Sequence, residues 1–402
     1  MDPLLDGGIG LTEVLIVLFK VVLAFVFLLV ATMMMIWFER KLISDMQNRI
    51  GPNRAGKWGL LQSLADGIKA FFKEDLKPAR ADLGVFKLAP YLSLVPAFLL
   101  FTIIPVGGVF QDGNDGVVTM FGQETFLQVA DPPIGVLFAL AMSSVAVYGV
   151  MLAGWSSGSK YPLLGSVRAS AQMVSYEAAL GLSVAAVVLL AGSLRTNAIV
   201  AEQATWGWNL WTAGIVPFVV FVIAATAELN RPPFDLVEAE QELVGGFHTE
   251  YSSIRFAMFF LAEFMNTITM SAIIVTLFLG GPNGPLLFGP DWIWPPLWFF
   301  LKLGLLLFMF VWFRATLPRV RYDQLMDLGW KVLIPVALAW LLLLAALRLT
   351  RDDALNIVDN DTANLAIVIG GSALVIIIAG SLLVAAIQTA KDRRAESVEA
   401  YD

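Results

Sequence analysis

Nine runs of apolar residues, at roughly 11–38, 88–106, 132–154, 172–192, 213–228, 253–280, 296–314, 330–348 and 363–388, limit what this chain can fold into. A helix needs about 20 such residues to cross the hydrocarbon core of a bilayer. Within that core every backbone N–H and C=O must be satisfied inside the segment itself, which leaves helices as the natural solution for runs of this length. With 58% hydrophobic and 15% charged residues, the chain reads as an all-α polytopic membrane protein of about nine transmembrane helices. The first 19 residues hold no Lys or Arg, so a positively charged leader is missing and the first run is expected to stay as a membrane span.

Lys and Arg placement gives the expected orientation. Ten fall in 39–87 and none in 107–131; over the whole chain one set of alternate loops collects 21 and the other three. Cationic loops stay on the cytoplasmic side, so the N-terminus is expected outside and the C-terminus inside, a parity that nine helices satisfy. Lys20 and Lys302 fall within spans and are expected to snorkel to the outer face in structural roles.

Cys is absent and His248 is the only histidine. Thiolate iron–sulfur ligation, disulfides and a bis-His haem within one chain are therefore excluded, and no glycine-rich nucleotide fingerprint occurs. The chain carries no redox centre of its own, and nothing in it points to nucleic acid.

The loop after the first span is patterned. Over 58–72, Trp58, Leu61, Leu64, Ala65, Ile68, Phe71 and Phe72 recur at helical spacing, with Gln62, Asp66, Lys69 and Lys73 opposite. This predicts a cytoplasmic amphipathic helix between the first two spans, lying at the interface or roofing a cavity. The turn-rich Arg-Ile-Gly-Pro-Asn-Arg-Ala-Gly at 49–56 precedes it.

Ionisable groups at membrane depth are costly, so they are paired, hydrated or functional. Between Glu228 and Glu263 stand seven carboxylates (Glu228, Asp235, Glu238, Glu240, Glu242, Glu250 and Glu263) against Arg231 and Arg255. Glu228 closes the fifth span before Asn-Arg-Pro-Pro, Glu263 lies well inside the sixth, and Glu177 is expected near the inner end of the fourth. Glu238 and Glu242 share a helix face, so mutual repulsion favours proton uptake there. A solvated acidic loop and a proton path are both open on this pattern, and His248 is expected to pack within the loop.

Several motifs carry a resemblance. Glu39-Arg40-Lys41, the 49–56 turn, Ala-Asp-Gly-Ile-Lys-Ala-Phe-Phe-Lys-Glu at 65–74, Gln-Met-Val-Ser-Tyr-Glu at 172–177, Ala-Glu-Leu-Asn-Arg-Pro-Pro-Phe-Asp-Leu-Val-Glu-Ala-Glu-Gln-Glu-Leu at 227–243 and His-Thr-Glu-Tyr at 248–251 appear in order. Together they resemble the H-type membrane subunits of the proton-pumping NADH:quinone oxidoreductase, respiratory complex I. The resemblance implies a multi-pass protein of the bacterial cell membrane that forms the quinone-access chamber with hydrophilic-arm subunits. Quinone is then the substrate, while FMN and iron–sulfur clusters belong to partner subunits. Small membrane subunits next to the pumping modules, and membrane lipid, are the other implied partners.

It further implies proton-coupling roles for Glu177, Glu228, Asp235, Glu238, Glu240, Glu242, Glu250 and Glu263, and places Glu39, Arg40, Arg49, Arg54 and Asp66 at the chamber or its interfaces. Residues 1–348 would form the family's eight-helix membrane domain. Residues 349–402 would add a ninth helix and a cytoplasmic tail that the family usually lacks. A related membrane component of a membrane-bound hydrogenase and a stand-alone ion transporter are the alternatives; the intact Gly-Pro-Asn-Arg loop favours the quinone enzyme, and the lack of a duplicated 227–251 motif argues against the transporter.

Overall fold

A computed structural model of the chain describes residues 2–5, 10–110, 115–236, 243–286, 290–351 and Gly370. In chain order these residues form α1 (Leu11–Met46), α2 (Gln62–Phe72), α3 (Leu83–Phe101), a hairpin of β1 (Val117–Met120) and β2 (Gln123–Phe126), α4 (Gly135–Ser156), α5 (Lys160–Ala191), α6 (Thr196–Trp206), α7 (Asn209–Thr212), α8 (Ile215–Glu228), α9 (Ser253–Phe278), α10 (Trp294–Thr316), α11 (Tyr322–Asp327) and α12 (Ile334–Arg351). A π-helical stretch, Leu328–Leu333, joins α11 to α12.

Seven helices among the described residues are long and apolar enough to span a membrane, and α8 is a shorter apolar helix. The first eight expected spans each have a helical counterpart. The ninth, at 363–388, lies outside the described residues except for Gly370, as does the tail after it. The fold is that of a polytopic all-α membrane protein.

The centre is α9, whose second half is continuously buried from Thr267 to Phe278 and which packs against α3, α10 and α1. By contrast α1 leaves Leu15, Leu18, Val22, Leu23 and Phe25 about half exposed. An apolar helix with no polar face to water is built for lipid. Helices α3, α4, α5 and α8 pack in sequence around the core. At Gly149 a Cβ would stand 2.8 Å from the backbone nitrogen of Ser93, so only glycine allows α3 and α4 to come this close.

Several boundaries differ from the sequence expectation. Helix α1 continues to Met46, past the apolar run, because Glu39, Arg40 and Ser44 find partners within the protein. Helix α5 begins at Lys160 rather than 172, with Pro162 tolerated in its first turn. Glu177 is therefore the eighteenth of 32 residues, near the middle of the helix and not close to an end.

The amphipathic helix starts at Gln62, not at 58, because Trp58 and Gly59 adopt positive φ of 59° and 75°. The Trp37 indole donates to the Trp58 carbonyl and holds that turn. Leu61, Leu64, Ile68, Phe71 and Phe72 all face outward, as an interfacial helix requires.

Lys20 and Lys302 do not snorkel. Lys20 is 5% exposed and donates to Asp2 and Thr125, tying the N-terminal segment and β2 to α1. Lys302 donates to the carbonyls of Leu279, Gly281 and Asn283, capping the end of α9, with the Trp208 ring 4.7 Å from its Nζ. Internal acceptors replace the water that each ammonium would otherwise have to reach.

Candidate functional site

Where the last turns of α1 and α10 meet α9 and the loop after α8, the fold brings together four charges of alternating sign. Arg231 Nη1 donates to Glu39 Oε2 at 2.9 Å, and Arg231 Nε lies 2.9 Å from Glu263 Oε1. Arg314 donates to the other oxygen of Glu39. The order is Arg314, Glu39, Arg231, Glu263. The side chains of Arg231 and Glu39 are 6% and 5% exposed, so the charges depend on one another for stabilisation. The Phe264 ring lies 4.2 Å from the guanidinium carbon of Arg231 and covers one face.

On one side of this chain opens a cavity of about 780 Å³, within the usual size of ligand pockets. Its lining mixes Ile36, Ile43, Ile50, Phe260 and Phe264 with Glu39, Arg40, Ser44, Gln47, Arg49, Glu263 and Arg314. Such a wall suits a molecule with an apolar body and a polar head. Arg49 Nε donates to Gln47. Arg40 pairs with Asp66 at 2.7 Å, and Gln62 also donates to Asp66, so α2 is fastened to α1. Arg54 lies exposed, outside the residues that line the cavity.

On the other side lies a smaller, mainly apolar cavity of about 70 Å³, whose polar lining residues are Ser93, Glu228, Asn230, His248, Glu263 and Asn266. Ser93 Oγ, Glu228 Oε2 and Asn266 Oδ1 are buried without hydrogen-bond partners among the described residues. A cavity of this size, with those three oxygens on its wall, can hold water that serves them. Glu263 and Phe260 border both cavities.

Deeper still, α4 supplies adjacent hydroxyls. Ser143 donates to Glu228 and Ser144 donates to Glu177. Two carboxylates from α8 and α5 are thus held by neighbouring positions of one helix. The sequence-predicted Glu177, Glu228 and Glu263, joined by Glu39, fall in one connected region.

Asp235 is buried at 8% exposure and paired with Arg319 at 3.1 Å, at the edge of the same loop. Glu250 is half-buried in the turn before α9, outside the lining of both cavities. Glu238, Glu240 and Glu242 lie outside the described residues. His248 packs as expected, edge-on to Phe247 and Phe256 with ring centres 5.0 and 5.3 Å away. Burial pulls its pKa down to about 4, so the ring is neutral near pH 7.

Sequence reasoning missed Arg314, which it counted only as a flanking cation, and the pair Ser143–Ser144, two hydroxyls in the middle of an apolar run. The serine pair was a visible cue. Nothing local to Arg314 announces its partner Glu39, 275 positions away.

Comparison with known proteins gives consistent results. Residues 19–345 match the NADH dehydrogenase family. The chain is 55% identical over 358 residues to the H subunit of NADH-quinone oxidoreductase from Frankia alni, an alignment covering 88% of this chain and 77% of that protein. It is 49% identical over 371 residues to the equivalent H subunit from Streptomyces avermitilis, covering 90% and 79%. Against the H subunit from Frankia casuarinae it is 55% identical over 338 residues, covering 83% and 73%.

Proposed function

The chain belongs to the NADH dehydrogenase family, and on that premise we propose that it is the membrane subunit through which a proton-translocating NADH-quinone oxidoreductase admits its quinone and couples quinone reduction to proton movement. The observation that carries this reading is the position of Glu263. It borders the large amphiphilic cavity on one side and the small cavity of Glu228 on the other.

A lipid-soluble quinone enters the 780 Å³ cavity from the bilayer, its polar head toward Arg49, Arg40 and the Glu39–Arg314 pair. Reduction to quinol takes two electrons and two protons, so the charge near the head group changes with each turnover. Electrons come from FMN and iron–sulfur clusters in partner subunits, because this chain has no cysteine to hold a cluster.

Changes in charge at the cavity act on Glu39 and Glu263 through Arg231, and reach Glu228 and Glu177 by way of the inner cavity and Ser143–Ser144. Asp235 and Glu250 belong to the cytoplasmic acidic loop, whose sequence also holds Glu238, Glu240 and Glu242. Hydrophilic-arm subunits close the chamber over Asp66, Arg54 and α2, and small membrane subunits take up the path beyond Glu177.

The distribution of Lys and Arg supports a bacterial cell-membrane orientation with the N-terminus outside and the C-terminus cytoplasmic. Residues 1–348 are the family's membrane domain in this reading, and 349–402 supply an added helix and tail against lipid or a neighbouring subunit.

The test is Glu228→Gln and Glu177→Gln in the assembled complex, reconstituted in sealed vesicles. Both variants should assemble yet lose most coupled quinone reduction and proton uptake. Full proton pumping in both would remove these carboxylates from the path.

A further inference from the structure

We propose that Gln172 is a positioning residue that fixes the loop from Glu228 to Asp235, and with it the placement of Arg231 between the two cavities. The proposal rests on the function argued above and extends it to a residue that touches neither cavity.

Gln172 opens the Gln-Met-Val-Ser-Tyr-Glu motif and is completely buried on α5. Its Nε2 donates to the carbonyl of Ala227 at 2.6 Å, to Asn230 Oδ1 at 3.1 Å and to the carbonyl of Phe234 at 3.0 Å. These acceptors lie before, within and after Asn-Arg-Pro-Pro. One carboxamide therefore holds both ends of the loop that carries Arg231. Two of its three acceptors are backbone carbonyls, so the amide can stand only with nitrogen toward the loop. Its Oε1 is buried without a hydrogen-bond partner among the described residues.

A side chain kept only to fill space would have no need for that arrangement. Leucine fills a similar volume without burying a lone carbonyl oxygen. Arg231 gains most from the clamp, because its two carboxylate partners come from distant helices, Glu39 on α1 and Glu263 on α9. Both bonds depend on where the loop backbone stands. A neighbouring contact adds to the fixation, since Tyr176 packs its ring 5.8 Å from that of Phe234 and donates to the Leu325 carbonyl.

The experiment compares Gln172→Leu and Gln172→Glu with the unaltered complex in sealed vesicles, alongside Glu228→Gln and Glu177→Gln. Quinone reductase turnover per assembled complex and proton uptake per electron are read between about pH 6 and pH 8.5. Gln172→Leu should lower turnover about tenfold at every pH, the scale of one lost hydrogen bond. The carboxyl introduced by Gln172→Glu can donate to the loop only while protonated. Its activity should approach the parent's at the acid end and fall toward that of Gln172→Leu at the alkaline end. Glu228, Arg231 and Asp235 on the loop and Glu177 on the same helix are the same in parent and Gln172 variants, so that crossing isolates position 172.

Turnover per complex and a pH profile equal to the parent's in both variants would overturn the proposal. So would a loss confined to the amount of assembled complex, with the remainder behaving normally. If Gln172→Leu fails to assemble, the pH profile of Gln172→Glu decides alone. A normal Gln172 pair beside an impaired Glu228→Gln sinks only this inference, whereas full pumping in both Glu228→Gln and Glu177→Gln sinks the carboxylate path beneath it.

Discussion

Arg231 donates to Glu39 across 2.9 Å although 192 positions separate the two residues in the chain. Both are nearly closed off from solvent, and each has a second partner, Glu263 for Arg231 and Arg314 for Glu39. Breaking a buried pair from one side leaves the other charge uncompensated, at about 3–5 kcal/mol. The chain of four makes the two sides unequal.

Glu39→Gln leaves Arg231 with Glu263 and should be the milder change. Arg231→Leu takes from Glu263 its guanidinium partner and removes the link between the two carboxylates. It should shorten the half-life of the assembled complex at elevated temperature much more than Glu39→Gln. Equal half-lives in the two variants would show that Arg231 is not the centre of the cluster.

Lys302 is a structural cation, and its removal should affect stability without affecting quinone. Lys302→Met strips three carbonyls of their donor, and each buried acceptor left alone costs roughly 1–3 kcal/mol. Arginine should not rescue it, since a planar fork does not reproduce a point donor facing three oxygens. The expected result is faster thermal inactivation with an unchanged KM for quinone. A raised KM would show that the end of α9 bears on the proposed quinone site.

Arg49 and Asp66 are both placed at the chamber or its interfaces by the proposed function, but they should behave differently. Arg49 lines the large cavity, so Arg49→Ala should raise the KM for a short-chain quinone severalfold with little change in kcat. Asp66 belongs to a half-exposed pair with Arg40, and such pairs contribute at most about 1 kcal/mol. Asp66→Asn should leave both stability and KM near the parent's unless a partner subunit docks there. Steady-state kinetics on the intact complex settles both cases.

What could be read from the sequence follows from how local its cause was. Apolar runs located the first eight spans, because a bilayer selects on about twenty consecutive residues. The carboxylates at Glu177, Glu228 and Glu263 stood out because charge is rare in such runs. Helix ends set by tertiary partners were not legible: α1 runs on to Met46 because Glu39 and Arg40 meet Arg231, Arg314 and Asp66. The snorkelling expected of Lys20 and Lys302 failed for the same reason, since Asp2, Thr125 and three carbonyls were nearer than water. Gln172 illustrates the other limit: its motif was visible, but only the fold shows which three acceptors it serves.

His248 supplies the pH prediction. Burial lowers its pKa from 6.5 to about 4, so the folded chain keeps the ring neutral where the unfolded chain would take up a proton. The sign follows directly. This contribution to stability is complete above pH 6.5 and is lost progressively as pH falls toward 4, reaching about 3 kcal/mol at 1.36 kcal/mol per unit.

Glu228 and Glu263 line the same cavity and are the same in parent and variant, so the comparison between the two isolates the histidine. His248→Gln keeps a polar side chain of similar reach without the proton-linked penalty. The ratio of thermal inactivation half-lives at about pH 7.5 and pH 5 should therefore be smaller in His248→Gln than in the parent complex. An unchanged ratio would mean that the imidazole is already charged in the folded protein. The edge-on packing against Phe247 and Phe256 would then be holding a cation rather than a neutral ring.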